Sequence, residues 1–238
     1  MSCFSAEEAP ARLSLGSQHK RILRLQFPRG DAPRKALLAN KLDAFEGLSR
    51  DFRYRVELLS SDPGIAPQDM LGKMACVEVV REDASLRYFN GYVVEFRFVR
   101  TDGGFCHYEM VLGPWMSLLK LRRDNRLFHH ANVMSQTLRI LRDCRDADWT
   151  SQYLGADAEM NDACQFDESA HNYLHRRWEE RGWHYWYEHR ADGHTLVLSG
   201  DSYGCQPIDG ETSDIPWQTE AGAMEDDGIA RFSPVRAV

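Results

Sequence analysis

The stretch DFRYRVELL alternates without a break: Phe52, Tyr54, Val56 and Leu58 fall on one side, Arg53, Arg55 and Glu57 on the other. A two-residue period suits a half-buried strand and defeats a helix, whose faces recur about every 3.6 residues. RILRLQF does the same with Leu23, Leu25 and Phe27, and ACVEVVRE, RYFNGYVVEFRFV and FCHYEMVL continue the pattern. In the second of these Tyr92, Val94, Phe96 and Phe98 are expected to share a face, with Asn90-Gly91 marking a bulge or bend. SSDPG (Ser60–Gly64) is a turn by composition, and TDGG (Thr101–Gly104) suits a hairpin loop. Short strands this close together predict an antiparallel barrel or sandwich over residues 20–113.

Beyond that stretch the period changes. GPWMSLLKLRRDNRLF reads as a short helical turn and a strand, and NVMSQTLRILRDC as a helix capped by Asn132 or Ser135. DESAHNYLHRRWEERG is a second helix. Ser169 is its cap, Asp167 and Glu168 suit its positive end, Gly182 is its stop, and Ala170, Tyr173, Leu174 and Trp178 are its apolar side. GWHYWYEH and HTLVLS, joined through Ala191-Asp192-Gly193, form a hairpin. The expected class is α+β and β-rich: a flexible N-terminus (1–16), a barrel-like antiparallel β domain (17–125), and a smaller α+β domain (126–200). Residues 201–238 follow as a polar segment ending in the start of a strand, GIARFSPV.

Composition removes several classes. A net charge of −7 lacks the basic footprint of a nucleic-acid binder. No apolar run reaches the length of a membrane span, and the N-terminus lacks the basic-then-apolar order of a secretory signal. Cys3, Cys76, Cys106, Cys144, Cys164 and Cys205 contain no C-x-x-C pair, as expected of reduced and mostly buried thiols in a cytoplasmic protein.

The chemistry-bearing residues crowd into Cys164–Ser199. His171 and His175 stand four apart on one helix, and His184, His189 and His194 follow on the hairpin. Zinc requires three or four converging ligands, and Asn172 stands where H-E-x-x-H requires glutamate, so packed or solvated imidazoles are expected and no metal site. Glu179 and Glu180 are consecutive on a helix and cannot face one another as an acid/base pair. GDSYG places Ser202 in a G-x-S-x-G pattern, but prolines follow where a nucleophile elbow needs a helix, and no histidine comes after it. Trp183, Tyr185 and Tyr187 could stack on a sugar, but aromatics at period two more often form the buried face of a strand. No catalytic, cofactor-binding or metal-ligating residue is therefore expected.

Three blocks in order carry a family likeness. LSRDFRYRVELLSSDPGIAPQDMLGKMACVEV resembles the opening of VgrG proteins, the spike proteins of type VI secretion systems. YFNGYVVEFRFVRTDGGFCHYEMVLGPWMSLLKLRRDNRLFHHANVMSQTL is similar to their next block, with its Leu-x-Pro-Trp-like segment. The third has a Glu-Ser cap (Glu168, Ser169), a helix ending Glu-Glu-x-Gly (Glu179, Glu180, Gly182), an aromatic strand with Tyr185 and Tyr187, and His194–Leu198. The likeness runs from about Leu13 to Asp201. Arg177, where the family usually has leucine, and His129, where it has glutamine or similar, depart from it.

The resemblance implies a non-enzymatic spike base built like the hub of contractile phage tails. Such a base assembles as a homotrimer and docks on the hexameric Hcp tube, with baseplate components and effector or adaptor proteins as further partners. It implies assembly in the bacterial cytoplasm and export on contraction. Whole family members continue into more base, a small barrel and a β-helical needle, so this chain is expected to be a piece. A phage baseplate hub is the alternative within the same class. A serine or metal-dependent hydrolase and a glycan-binding module are rivals from other classes.

Overall fold

The computed structural model describes residues 18, 20–33 and 37–202. The expected flexible N-terminus and the strand at GIARFSPV lie outside those residues, as do Cys3 and Cys205. Six strands form one antiparallel sheet: β1 (Leu23–Gln26), β2 (Leu38–Phe45), β3 (Arg53–Ser60), β4 (Met74–Val80), β5 (Leu86–Asp102) and β6 (Phe105–Gly113). Their order is β1-β4-β5-β6-β3-β2, and the sheet curls into a half-barrel whose two edge strands approach each other. There the Arg21 guanidinium donates to the Ala39 carbonyl at 2.9 Å.

The alternation read from β3 holds. Tyr54, Val56 and Leu58 are each 0 % exposed, and join Leu25, Val77, Phe89, Val93, Phe96, Met110 and Leu112 in one core. Each such large apolar side chain contributes roughly 1.5–3 kcal/mol by leaving water. The TDGG loop is a two-residue hairpin, with Gly103 and Gly104 at φ +56° and +81° as a primed turn demands.

One expectation about β5 fails. Its 17 residues run straight through Asn90-Gly91, and the register shifts lie further along, at Val93/Glu95 and Phe98/Arg100. Each extra residue flips the faces that follow. Phe96, beyond the first shift, therefore joins Val93 in lining the first core, while Tyr92, ahead of it, turns to a second core. Gly91 serves close packing: a Cβ there would lie 2.8 Å from the Gly113 carbonyl oxygen and 3.0 Å from the Phe52 ring.

After a 3₁₀ turn (Trp115–Lys120), β7 (Arg123–Ala131) pairs antiparallel with β9 (Met160–Ser169) as a two-stranded ribbon. Helix α1 (Val133–Leu141) lies between them in sequence and helix α2 (Ala170–Glu180) follows. Of the two caps expected for α1, Asn132 serves, accepting from the Ser135 amide at 2.9 Å. Ser169 caps α2 and Gly182 ends it at φ +71°. Asp167 and Glu168 belong to β9 instead of the helix start; Glu168 pairs with Arg176 at 2.6 Å.

The hairpin β10 (His184–Arg190) and β11 (Gly193–Ser199) is extended by β8 (Trp149–Gln152), which runs parallel to β11. Tyr173, Leu174, Trp178, Trp183, Tyr185, Leu196 and Leu198 close the second core with Trp115 and Met116. Among the cysteines, Cys76 and Cys106 are buried, Cys144 is partly so, and Cys164 is exposed.

Candidate functional site

Asp51 precedes β3 and stands between the two cores. Its Oδ2 lies 2.9 Å from His171 Nε2 on α2 and 2.5 Å from Lys120 Nζ at the end of the 3₁₀ turn. Tyr187 of β10 donates its hydroxyl to Oδ1 at 3.0 Å, and Ser117 reaches Oδ2 at 3.4 Å. Burial alone would raise the carboxyl pKa, but the hydrogen bonds from His171 and Lys120, with their positive charge, outweigh it and hold the group well below the usual carboxylate range. One ionised carboxylate thus fastens three elements of the second core to the loop that enters the sheet.

His175 stacks on His171, ring centroids 4.1 Å apart, with its Nε2 3.1 Å from the Tyr185 hydroxyl. Burial, aided by the charge of His171, lowers its pKa to about 4. The ligand atoms of Asp51, His171 and His175 all lie within 4.8 Å of one another.

A second polar group bridges β5 and the hairpin. The Trp115 amide donates to His194 Nε2 at 3.2 Å, so the ring proton sits on Nδ1 and is donated to Asn90 Oδ1 at 3.0 Å. The Asn90 amide nitrogen donates to the carbonyls of Arg190 and Gly193, at 2.5 and 2.7 Å. His189 Nε2 stands 2.8 Å from the Tyr54 hydroxyl, which donates to Glu46 at 2.5 Å. Burial lowers the pKa of His189 to about 4 and that of His194 to about 3.

The remaining sequence candidates disperse. His184 stacks on Trp186, away from the other imidazoles, as its place on the alternate face implies. Glu179 and Glu180 are both exposed, and Glu180 pairs with Arg177 at 2.7 Å. Ser202 is exposed, and the residues after it lie outside those described. The imidazoles nearest it in sequence, His189 and His194, are occupied by Tyr54, Asn90 and Trp115. Trp183 and Tyr185 are buried, and Trp183 donates to the Leu154 carbonyl, so neither offers a face to a sugar. Nothing in the sequence marks Asp51, Lys120 and Asn90 for these contacts, since each acts on partners far along the chain.

Among the described residues these side chains form a network that braces the two cores against each other. Residues 45–238 match the family described as the phage tail baseplate hub (GPD). The chain belongs to that family. Among the proteins similar to it are the type VI secretion system spike proteins VgrG1b and VgrG1c of Pseudomonas aeruginosa. They are 29 % and 30 % identical to this chain over 201 and 203 residues, or 84 % and 85 % of it. The chain spans 27 % of the length of each. The solved structure of the Escherichia coli c3393 protein superimposes with a TM-score of 0.64 at 23 % identity, covering 77 % of this chain and 50 % of that one. That protein is described as a component of the type VI secretion system with structural similarity to the T4 bacteriophage tail proteins gp27 and gp5. The resemblance to VgrG-type spikes drawn from the three sequence blocks is borne out, as is the β-rich, hub-like class.

Proposed function

We infer that this hub-family chain is the base of a type VI secretion puncturing spike and performs no catalysis. It assembles as a homotrimer, docks on the Hcp tube and baseplate components, and so carries effector or adaptor proteins outward. Assembly takes place in the bacterial cytoplasm, and contraction exports the spike. The supporting observation is the spending of the reactive-looking side chains on bracing: Asp51, His171, Tyr187, His189 and His194 all bond across the seam between the cores. The half-barrel also leaves β1 and β2 as sheet edges, and edges of this kind suit lateral assembly into rings.

Light scattering on the full-length protein tests assembly, with a trimer expected. Hcp in the culture supernatant tests delivery: it should vanish on deletion of the gene and return with the wild-type copy. A monomeric full-length protein, or Hcp export untouched by the deletion, overturns the reading. The family description favours a phage baseplate hub as a second reading; a gene lying among tail genes, with no Hcp gene nearby, would decide for it.

A further inference from the structure

The pair His171 and His175, one helical turn apart, presents its two imidazoles on the same side of α2, and the carboxylate brought to that side comes from a residue 120 positions away. We propose that Asp51, His171 and His175 form a binding site for one divalent ion of the zinc, nickel or copper class, with Lys120 as the cation that occupies the carboxylate when the ion is absent. This departs from the expectation read from the sequence, which tested the histidines against each other and against a glutamate on the same helix. The third ligand comes instead from the loop before β3.

The geometry meets the requirements in turn. Zinc sits about 2.0–2.1 Å from an imidazole nitrogen and about 2.0–2.2 Å from a carboxylate oxygen, so its donors must stand within roughly 4 Å of each other. The three donors here already lie within 4.8 Å. Closing the rest takes modest rotation about the imidazole χ2 torsions, which are broad and soft. Two nitrogens and one oxygen suit the imidazole-binding metals and disfavour magnesium and calcium, which take oxygen shells.

The surrounding groups are those that orient ligands. Tyr187 and Ser117 fix the Asp51 carboxylate, and the Tyr185 hydroxyl fixes the His175 ring. Lys120 shows that the position attracts positive charge. Its side chain is 47 % exposed, so its ammonium can swing into water when an ion arrives, while the proton between His171 and Asp51 passes to solvent or to Nδ1. The exposed pairs His129–Asp162 and His130–Glu159 each bring one imidazole and one carboxylate together, and serve as a background of weaker two-donor sites.

The effect is a clamp between the loop entering β3 and helix α2, and it does not depend on the spike-base reading. The test uses the full chain stripped with a chelator. Zinc should raise the thermal midpoint in proportion to log concentration, and cobalt(II) should give visible absorption bands saturating at one ion per chain. Lys120→Met should lower the half-saturating zinc concentration severalfold, by removing the competing ammonium. His171→Ala and His175→Ala should each lose the shift while still melting cooperatively without metal. Wild type with no cobalt bands, or a zinc shift surviving in both histidine variants, overturns the proposal. The cobalt spectrum of wild type decides the matter even if a histidine variant does not fold.

Discussion

Asn90 Oδ1 accepts from His194 Nδ1 at 3.0 Å, joining the middle of a strand in one core to the hairpin of the other. Asn90 is wholly buried, and its amide nitrogen serves two hairpin carbonyls. Asn90→Leu keeps much of the volume and strands the His194 proton and the Arg190 and Gly193 carbonyls. Each abandoned buried polar group costs about 1–3 kcal/mol. Urea denaturation should show a stability loss of at least about 2 kcal/mol; an unchanged midpoint would mean that water replaces the side chain.

Acid should weaken the same junction. His189 and His194 have folded pKa values of about 4 and 3, below the ordinary 6.5, so the unfolded chain takes up protons first as pH falls. Stability therefore declines from about pH 6.5 downward and levels off near the folded values. Asp51 adds to the loss lower down. Its depressed pKa stabilises the fold above the ordinary 3.8, and that stabilisation disappears as pH drops below it. In chelator, the denaturant midpoint at pH 5 should lie below that at pH 7. His194→Gln should flatten the slope, and a slope equal to wild type's would exclude His194 as its source.

Gly91→Ala puts a methyl 2.8 Å from the Gly113 carbonyl oxygen, where backbone must give way. Overpacking of this kind costs typically about 1–3 kcal/mol. Differential scanning calorimetry should register a lowered midpoint, while Gly103→Ala, with open space around its Cβ, should show only the milder strain of a positive φ.

Trp178 and Leu174 are buried on the inner side of α2, and the Trp178 indole donates to Thr137 on α1 at 3.0 Å. Replacing either by alanine should cost about 2–5 kcal/mol. Midpoints matching wild type would show that the helix is not docked against the second core.

Local chemistry made part of this molecule legible in advance. Period-two alternation located β3, Gly103-Gly104 located a hairpin, and Ser169 and Gly182 bracketed α2, because each signal acts within a few residues of itself. Strands β2, β8 and β9 gave no such signal. β2 and β8 are edge strands with little burial, and β9 belongs to a two-stranded ribbon, so their sequences need not alternate. The faces of β5 were misassigned because a register shift depends on the neighbouring strand. Asp51 was missed for a related reason: its partners lie 66 to 136 residues away.

The shift in β5 also bears on how the protein withstands load. One continuous strand gives Val93 and Phe96 to the first core and Tyr92 to the second, where Tyr92 packs with Met74 and Trp115. Pulling the two halves apart therefore means peeling a 17-residue ribbon from its neighbours on either side, and covalent backbone carries the stress where side-chain contacts alone would slip. Residues 23–199 should accordingly rupture in a single event under force.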